Sequence, residues 1–421
     1  MGAVAAAGAA AHAQDVSASP VAGTQFDRGR SIAVSQRVQP GYEEVGTRLD
    51  GFIVYPRLTV QASFDDNVRA SSSSGGDQSD VAFSLAPALR AISQWRRHEL
   101  GLSASANVTR FASLKTENAE TFAVRGEGRY DAGDEIKLYG YAGYRRDVER
   151  RTAPGALRGT RRPARFNTAT AGAQLTWQNN RLRVSGSGSA ARINYADVTT
   201  VEGRVIDSRE LSRTRYETSV RADYAITPNI AVLLSGTLGK VDFDETAQAV
   251  APDRSARKAE LLGGVSFEFT DLLRGEFALG YIDLRFRNPA IRGFSGFGGR
   301  AELEYFPTRL TTARIDASRT LQDAGNPLAP SYQRSHIGLR VDHELYRHVL
   351  VSAFGNYEDD RFQLPRRTER RWHGGVSGQY LVSRHATLFA RYDYLHVTTR
   401  PSEFGRQLTD NVISVGVLLK P

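Results

Sequence analysis

The sequence contains no cysteine, which excludes disulfide bonds, thiolate catalysis and cysteine-ligated zinc sites together. It also lacks any run of about 18 apolar residues, the length that a transmembrane helix needs. A membrane-spanning strand is different, because only every second side chain faces lipid and the segment reads as mildly polar. The mean hydropathy of -0.40 is therefore compatible with a membrane protein built from strands.

Helical periodicity is missing as well, and apolar and polar residues alternate instead. In the first such segment, Val54 and Phe64 share one parity while Arg57 and Gln61 share the other. A polar stretch follows, and residues 81–89 alternate again. Since successive side chains of a strand point to opposite faces, this pattern predicts a hairpin with one apolar and one polar face.

The alternation recurs to the C-terminus, and the segments are joined in turn by short turns, such as DAGDE and AITPN, and by long polar loops. Near the C-terminal end the predicted long loops include QDAGNPLAPSYQ, DDRFQLPRRTER and TTRPSEFGRQ. We predict an all-β fold over residues 51–421, a transmembrane antiparallel up-and-down β-barrel of about 18 strands. Short turns face the periplasm and long loops the cell exterior in such barrels.

Two further features favour a membrane barrel over a soluble sandwich. Many apolar-parity positions are Gly or Ala, which pack a dry core poorly, and the opposite parity is charged on most segments. Aromatic residues recur near predicted strand ends, as in the interfacial girdles of membrane barrels: Tyr130, Tyr144, Trp177, Tyr224, Tyr305, Trp372 and Tyr394. A barrel of this size encloses water.

The N-terminal residues form two short units ahead of the barrel. Residues 1–13 are small and end in Ala11-His12-Ala13, which predicts a signal peptide cleaved after Ala13. Because a basic n-region is missing, a truncated start or a disordered Ala-rich tail is the alternative. Residues 14–50 are predicted to be a flexible periplasmic segment, with a partner-docking role or a place in the barrel mouth as alternatives.

The net charge of +9 raises nucleic acid as a partner. The basic residues, however, are spread over strand faces and loops rather than gathered on one helix or stripe, so we expect no nucleic acid. Outer-membrane lipid and lipopolysaccharide are the partners that a membrane barrel implies.

Basic and tyrosine side chains on the polar parity are the candidate lumen-lining residues of a substrate path. They are Arg57, Arg90, Arg125, Arg129, Lys137, Tyr139, Tyr141, Arg145, Arg183, Arg221, Arg300, Arg340 and Arg371. Guanidinium groups suit uronates or other anionic sugars, and Tyr rings suit sugar faces. The alternative is structural charge ladders, for which the same parity offers Glu127, Asp223, Glu302, Glu304 and Asp342. Both interpretations stay open.

A basic loop spans residues 145–165 and holds eight arginines. One interpretation is an inward-folded constriction or a clamp for an anionic polymer. We favour an outer loop that neutralises lipopolysaccharide phosphates, because basic surface loops meet phosphates there.

Neither a metal site nor a catalytic site is predicted. Asp65, Asp66 and Asn67, with Asp77 and Asp80 nearby, offer oxygen ligands for Ca²⁺, but their spacing matches no EF-hand and turn formation explains them better. His373 and Ser377 share the lumen parity, yet nothing singles out a carboxylate to orient them. We therefore expect no cofactor, no metal and no enzyme activity.

Several motifs in the first hairpins are more specific. They are GFIVYP at residues 51–56, the pair Asp66-Asn67, Asp80, Pro87-x-Leu89 and Ser93-x-Trp95-x-Arg97-His98-x-Leu100. With these motifs the chain resembles a family of outer-membrane β-barrel porins whose members accompany exopolysaccharide synthesis and export.

The resemblance implies the outer membrane of a Gram-negative bacterium and a passive exit for a secreted polysaccharide, which the basic lumen suggests is anionic. It further implies a periplasmic polysaccharide export protein and an inner-membrane co-polymerase as partners. Two alternatives are a general or anion-selective diffusion porin for small solutes and a barrel that anchors surface material without conducting.

Overall fold

The computed structural model describes residues 32–72, 78–154, 156–157, 159–244, 253–326, 329–363, 366–402 and 407–421. The predicted signal peptide, residues 1–13, lies outside them. Within these ranges the chain forms 21 strands and three 3-10 helices, at Val34–Gln36, Lys115–Glu117 and Arg209–Leu211. No described helix is long and apolar enough to cross a bilayer.

The strands, in chain order, have the following bounds: β1 Thr47–Leu49, β2 Phe52–Asp65, β3 Asp80–Ser93, β4 His98–Phe111, β5 Ala119–Asp131, β6 Ile136–Val148, β7 Arg165–Asn179, β8 Leu182–Tyr195, β9 Val198–Thr199, β10 Val205–Ile206, β11 Arg213–Thr227, β12 Ile230–Phe243, β13 Ala256–Phe269, β14 Leu273–Phe286, β15 Phe294–Thr308, β16 Thr311–Asn326, β17 Ala329–Tyr346, β18 Val349–Gln363, β19 Arg366–Ser383, β20 Ala386–Arg400 and β21 Gln407–Leu419.

Eighteen of these described strands, all except β1, β9 and β10, form one closed antiparallel barrel. Each strand pairs with the next along the chain, β8 pairs with β11, and β21 returns to pair with β2. The prediction of an up-and-down barrel of about 18 strands is confirmed. At the closing seam β21 pairs with residues 58–65 of β2, and β1 pairs with residues 52–54 of the same edge.

The two rims differ as predicted. On one rim, connections of two to four residues join the strands, at 94–97, 132–135, 180–181, 228–229, 270–272, 309–310, 347–348 and 384–385. Longer connections dominate the other rim, which includes residues 149–164 and 196–212. Short turns mark the periplasmic side of a barrel, so the second rim faces the cell exterior.

Two of the predicted long loops, QDAGNPLAPSYQ and DDRFQLPRRTER, are largely strand, and that expectation was wrong. β16 runs to Asn326 and β17 begins at Ala329, and β18 and β19 are extended in the same way. The reason is a small apolar contact inside these hairpins. Tyr332 and Phe362 are 1% and 3% exposed, and their ring centroids lie 4.7 Å apart. Strand pairing therefore continues past the bilayer-spanning part.

Alternation sorts the side chains onto two surfaces. The exposed large apolar residues share one parity on their strands and form the outer face; examples are Phe83, Leu102, Val124, Leu175, Val220, Leu238, Leu261, Phe297, Ile337, Val376 and Ile413. The opposite parity faces the interior and is mainly polar. Small buried apolar clusters lie at the extracellular end, where Phe166, Ile193, Tyr195 and Leu211 pack together.

Candidate functional site

All thirteen predicted lumen residues lie on strands, and each has the parity opposite to the exposed apolar side chains of its strand. The barrel therefore directs all of them inward, which alternation alone made predictable. Their role as a substrate path stays a prediction, and their immediate partners differ from one residue to another.

Arg125, Glu127, Tyr139 and Tyr141 form a compact group on β5 and β6. Tyr139 donates its hydroxyl proton to Glu127 Oε2 at 2.8 Å and accepts from Arg125 NH2 at 3.1 Å. The Arg125 guanidinium lies 4.1 Å from the centroid of the Tyr141 ring. The Tyr141 ring covers Gly172 of β7, where a Cβ atom would come within 2.8 Å of it. The group presents one aromatic face and one guanidinium to the lumen.

Most of the other predicted arginines are held by carboxylates on the wall. Arg129 contacts Asp131 at 3.3 Å and Glu99 at 3.5 Å. Arg340 contacts Asp342 at 2.8 Å. These pairs match the charge-ladder alternative, because each guanidinium already has an acceptor on its own or the neighbouring strand.

Arg221 is the centre of a larger network. It donates to both oxygens of Asp223 and reaches Glu276 of β14 at 2.7 Å, across the two intervening strands. Arg300 donates to the same Glu276 at 3.1 Å. Arg183 lies near Asp223 as well. Asp223 is fully buried, so the network is part of the wall.

A second network lies nearer the extracellular rim, and alternation pointed only to part of it. Arg371 pairs with Glu369. Arg334, which was not among the predicted residues, makes two 2.8 Å hydrogen bonds to Asp360, whose exposure is 0%. Arg274 and Arg314 were missed in the same way, and both pair with Glu304 near the periplasmic rim. All three have the inward parity, so the signal was present in the sequence.

Arg90, Lys137 and Arg145 form no ion pair with any described residue. Lys137 lies opposite Asp131 of β5, and Arg90 lies opposite Tyr55 and Ser103. In Arg145, Nε and one terminal nitrogen are buried without a hydrogen-bond partner. Thr168, directly opposite on β7, is 1% exposed and its hydroxyl is also unpartnered. An anionic ligand oxygen can accept hydrogen bonds from such groups.

In the basic loop, Arg150 lies toward the lumen. It interacts electrostatically with Arg391 and Asp393, whose strand, β20, is far from the loop around the ring. Arg151 binds Glu117 through hydrogen bonds of 3.0 and 2.9 Å, and Thr160 forms a bridge with Thr200 of the next long loop. For Arg150 the inward alternative therefore replaces the outer loop that we favoured.

The described part of the N-terminal segment, residues 32–50, contacts the periplasmic mouth. The Val34 amide donates to Thr312 Oγ1 at 3.0 Å, and the Gln39 side chain donates to Glu344 at 3.0 Å. Further along, Glu44 accepts from Arg57 Nε at 2.9 Å. Residues 14–31 lie outside the described ranges, so the flexibility of the whole segment stays a prediction.

Beside Glu44 and Arg57 stands Lys420, which follows the end of β21. Burial lowers the pKa of its ammonium group below the ordinary value, against the attraction of Glu44. The charged side chains of Glu44, Arg57 and Lys420 therefore lie together at the periplasmic mouth.

Asp65, Asp66 and Asp410 bring carboxylate oxygens within 4.8 Å of one another at the extracellular end of the seam. Turn chemistry accounts for part of this region: Asp66 accepts from the Asn411 amide at 2.7 Å, and Asp80 accepts the amides of Ser113 and Leu114. Asp77 lies outside the described residues.

The two residues weighed for catalysis are not brought together. His373 and Ser377 are four residues apart on β19, roughly 13 Å along a strand. His373 instead faces Asp393 at 3.5 Å. This arrangement gives Ser377 no general base.

Solved structures with a similar fold share little sequence with the chain. The copper transporter OprC has a TM-score of 0.51 at 10% identity, and the match covers 89% of this chain and 81% of that one. OpdL of Pseudomonas aeruginosa has a TM-score of 0.44 at 14% identity, with coverages of 88% and 99%. OccK2 (OpdF) of Pseudomonas aeruginosa, solved with glucuronate, has a TM-score of 0.46 at 11% identity, and the match covers 87% of this chain and 98% of that one. At such identities these matches show the fold alone.

No curated protein matches the sequence significantly. The sequence profile of one family matches residues 39–421, a range that contains every barrel strand from β2 to β21. Its description is "Putative beta-barrel porin 2". Together with the closed barrel of 18 described strands, the profile match places the protein in the outer membrane of a Gram-negative bacterium. The chain belongs to this β-barrel porin family.

Proposed function

We propose that the protein is a passive diffusion channel for small polar solutes, with a preference for anions. The observation that carries the proposal is a wide polar barrel that is narrowed at both mouths. Eighteen strands about 4.8 Å apart and tilted by about 40° give a diameter of roughly 35 Å, which side chains alone do not fill.

The extracellular narrowing is the basic loop. Glu117, 4% exposed, ties it to the wall through Arg151 and contacts Arg69 of the β2–β3 loop at 3.5 Å. Three extracellular loops thus share one buried carboxylate. A loop fixed in this way limits the size of a solute more than it limits small ions.

The periplasmic narrowing is the stretch between Gln39, held by Glu344 of β17, and Glu44, held by Arg57 of β2. Four barrel strands separate β17 from β2 around the ring. The stretch therefore crosses the mouth rather than following the rim.

The anion preference follows from Arg145, whose positive charge is not offset by an ion pair with any described carboxylate. A passing carboxylate or phosphate is attracted to this charge.

Conductance of the purified protein in planar bilayers, with liposome swelling in neutral sugars of increasing size, tests the channel. We expect steady conductance, entry of monosaccharides and exclusion of long oligosaccharides. A barrel without conductance would support the surface-anchoring alternative and overturn the proposal.

A cysteine pair tests the periplasmic narrowing directly, since the native chain has no cysteine to interfere. Val34→Cys with Thr312→Cys joins two neighbouring residues of the segment and the wall. We expect oxidation to hold the channel in its low-conductance form and reduction to raise the conductance. The single-cysteine variants are the controls, and equal conductance in both redox states would contradict the narrowing.

Arg145→Gln tests the anion preference, and Arg146→Gln is its matched control. Arg146 is the next residue, faces outward and hydrogen-bonds Asn167 at 3.1 Å. We expect the reversal potential in a salt gradient to move toward cation selectivity for R145Q and to stay unchanged for R146Q. An equal shift in both variants would sink the assignment.

Exit of an anionic exopolysaccharide, with a periplasmic export protein and a co-polymerase as partners, is the second candidate. Tyr141 beside Arg125 favours it, because a sugar ring and a uronate match this pair. The two narrowings count against a path for a polymer. A strain lacking the gene decides: loss of surface polymer with periplasmic retention supports export, and unchanged surface polymer removes it.

A further inference from the structure

Three basic residues form a row on the outer face of the barrel. Lys240 of β12 lies directly opposite Arg257 of β13, and Arg257 lies directly opposite Arg285 of β14. Each has the same parity as exposed apolar residues of its strand, so the row faces outward. Each is also within four residues of the extracellular end of its strand.

Like charges directly opposite one another on neighbouring strands destabilise a sheet. Lys240 and Arg285 are each offset by a carboxylate on their own strand, Asp242 at 2.6 Å and Asp283 at 2.7 Å. Arg257, in the middle, contacts no carboxylate among the described residues. The row therefore keeps an uncompensated positive charge between two other cations.

A fourth cation stands next to the row on its extracellular side. Arg287 contacts Asp242 at 2.9 Å and Asp253 at 3.4 Å, and more than half of its side chain is exposed. Arg285 is more exposed still, at 82% of its side chain. Long flexible cations at this exposure can reach a ligand without rearranging the strands.

The row has a defined depth relative to the apolar belt. Leu261 lies opposite Tyr281 on the neighbouring strand, and Tyr281 lies opposite Phe297; all three are more than half exposed. Arg257 is four residues nearer the exterior than Leu261 on the same strand, about 13 Å. The cations thus stand just outside the lipid-facing band, where the phosphates of the outer leaflet lie.

Basic residues elsewhere on the outer face are arranged differently. Arg370 of β19 lies opposite Asp359, an acid, and contacts it at 3.4 Å, and Arg361 contacts the same carboxylate. Arg192 of β8 forms two hydrogen bonds to Asp244. Opposite charges meet at those positions, whereas cations meet cations on β12–β14.

We propose that Lys240, Arg257 and Arg285 bind the phosphate groups of an outer-leaflet glycolipid, the lipid A part of lipopolysaccharide. A phosphate accepts several charge-assisted hydrogen bonds at once, and guanidinium groups match its geometry. The anion removes the repulsion along the row while its acyl chains lie on the apolar belt beneath. The proposal is independent of the solute that crosses the lumen.

The test compares two triple variants of the purified full-length barrel in a neutral detergent. The first is K240Q/R257Q/R285Q. The control, R192Q/R361Q/R370Q, removes the same charge from the outer face at positions that have no cation directly opposite on the neighbouring strands. Native mass spectrometry measures the affinity for lipid A with both phosphates, for dephosphorylated lipid A and for inorganic phosphate, and melting curves are recorded for each.

We expect the first variant to bind phosphorylated lipid A on the order of 100-fold more weakly than the native protein, and the control to bind as the native protein does. Without lipid, the first variant should melt close to the native barrel, because the lost repulsion offsets the loss of two exposed ion pairs, Lys240–Asp242 and Arg285–Asp283. Equal lipid affinity in both variants, or equal binding of dephosphorylated lipid A, would overturn the proposal. If inorganic phosphate raised the melting temperature of the native barrel as much as lipid A does, the assignment to a lipid would be overturned.

Discussion

Two arcs of the inner wall present different kinds of polar side chain to the lumen. On β7 and β8 the inward positions are mostly hydroxyl and amide side chains, such as Thr170, Gln174, Ser187 and Ser189. On β16 to β19 the inward positions include a cluster of charges, in which Arg334 pairs with both Glu358 and Asp360. Both arcs face the same lumen.

The difference teaches that a charged wall is not the same as a charged channel. Where guanidinium and carboxylate groups are paired and buried, they interact mainly with each other. A solute that binds one of them must then displace the other. Hydroxyl groups exchange water for solute more easily, because each makes only a weak net hydrogen bond. Isolated donors such as those of Arg145 therefore affect permeation more than the many paired arginines do.

The largest expected effect comes from breaking a pair in the charged arc. Arg334→Met leaves Asp360, which has no exposure, with only the 4.0 Å contact to Arg371 in place of two 2.8 Å hydrogen bonds. We expect the free energy of unfolding to fall by about 3–5 kcal/mol. Urea unfolding of the refolded barrel in lipid vesicles, followed by tryptophan fluorescence, measures it.

The matched control removes both charges. Arg334→Met with Asp360→Leu should recover part of the loss, because it removes the buried Asp360 charge together with its partner, while Glu358 keeps only its contact with His336. Equal destabilisation of the single and double variants would show that the pair itself supports the wall.

The smallest expected effect lies in the hydroxyl arc. Ser187→Ala removes the 2.7 Å hydrogen bond between the Ser187 and Ser219 hydroxyls. Since Ser187 is only partly buried, we expect a loss of only about 0.5 kcal/mol in the same unfolding experiment. A loss near that of Arg334→Met would remove the distinction between the two arcs.

Alternation made most of the barrel predictable, because lipid contact on one side imposes the period along the whole chain. It separated Arg145 from Arg146, neighbours in sequence that face opposite sides. It failed at Tyr332 and Phe362, where polar stretches looked like loops but a contact between two strands extends them. Such a contact depends on register, which the pattern of one strand does not contain.

The partners within the lumen were less predictable for the same reason. Which carboxylate meets Arg221 depends on side chains from strands far apart in the chain, as its contact with Glu276 shows. The hydrogen bond between Gln39 and Glu344 joins residues that are 305 positions apart in the sequence. No local signal distinguishes that glutamine from one in a free tether.

The short strand β1 has a consequence for how the ring is completed. β2 pairs along its whole length with β3, but β21 covers only residues 58–65 of its other edge, and β1 covers residues 52–54. An uncovered strand edge is a template for another chain. By folding back on itself, the chain covers part of the β2 edge that β21 leaves unpaired, so that less of this edge is open to a second chain.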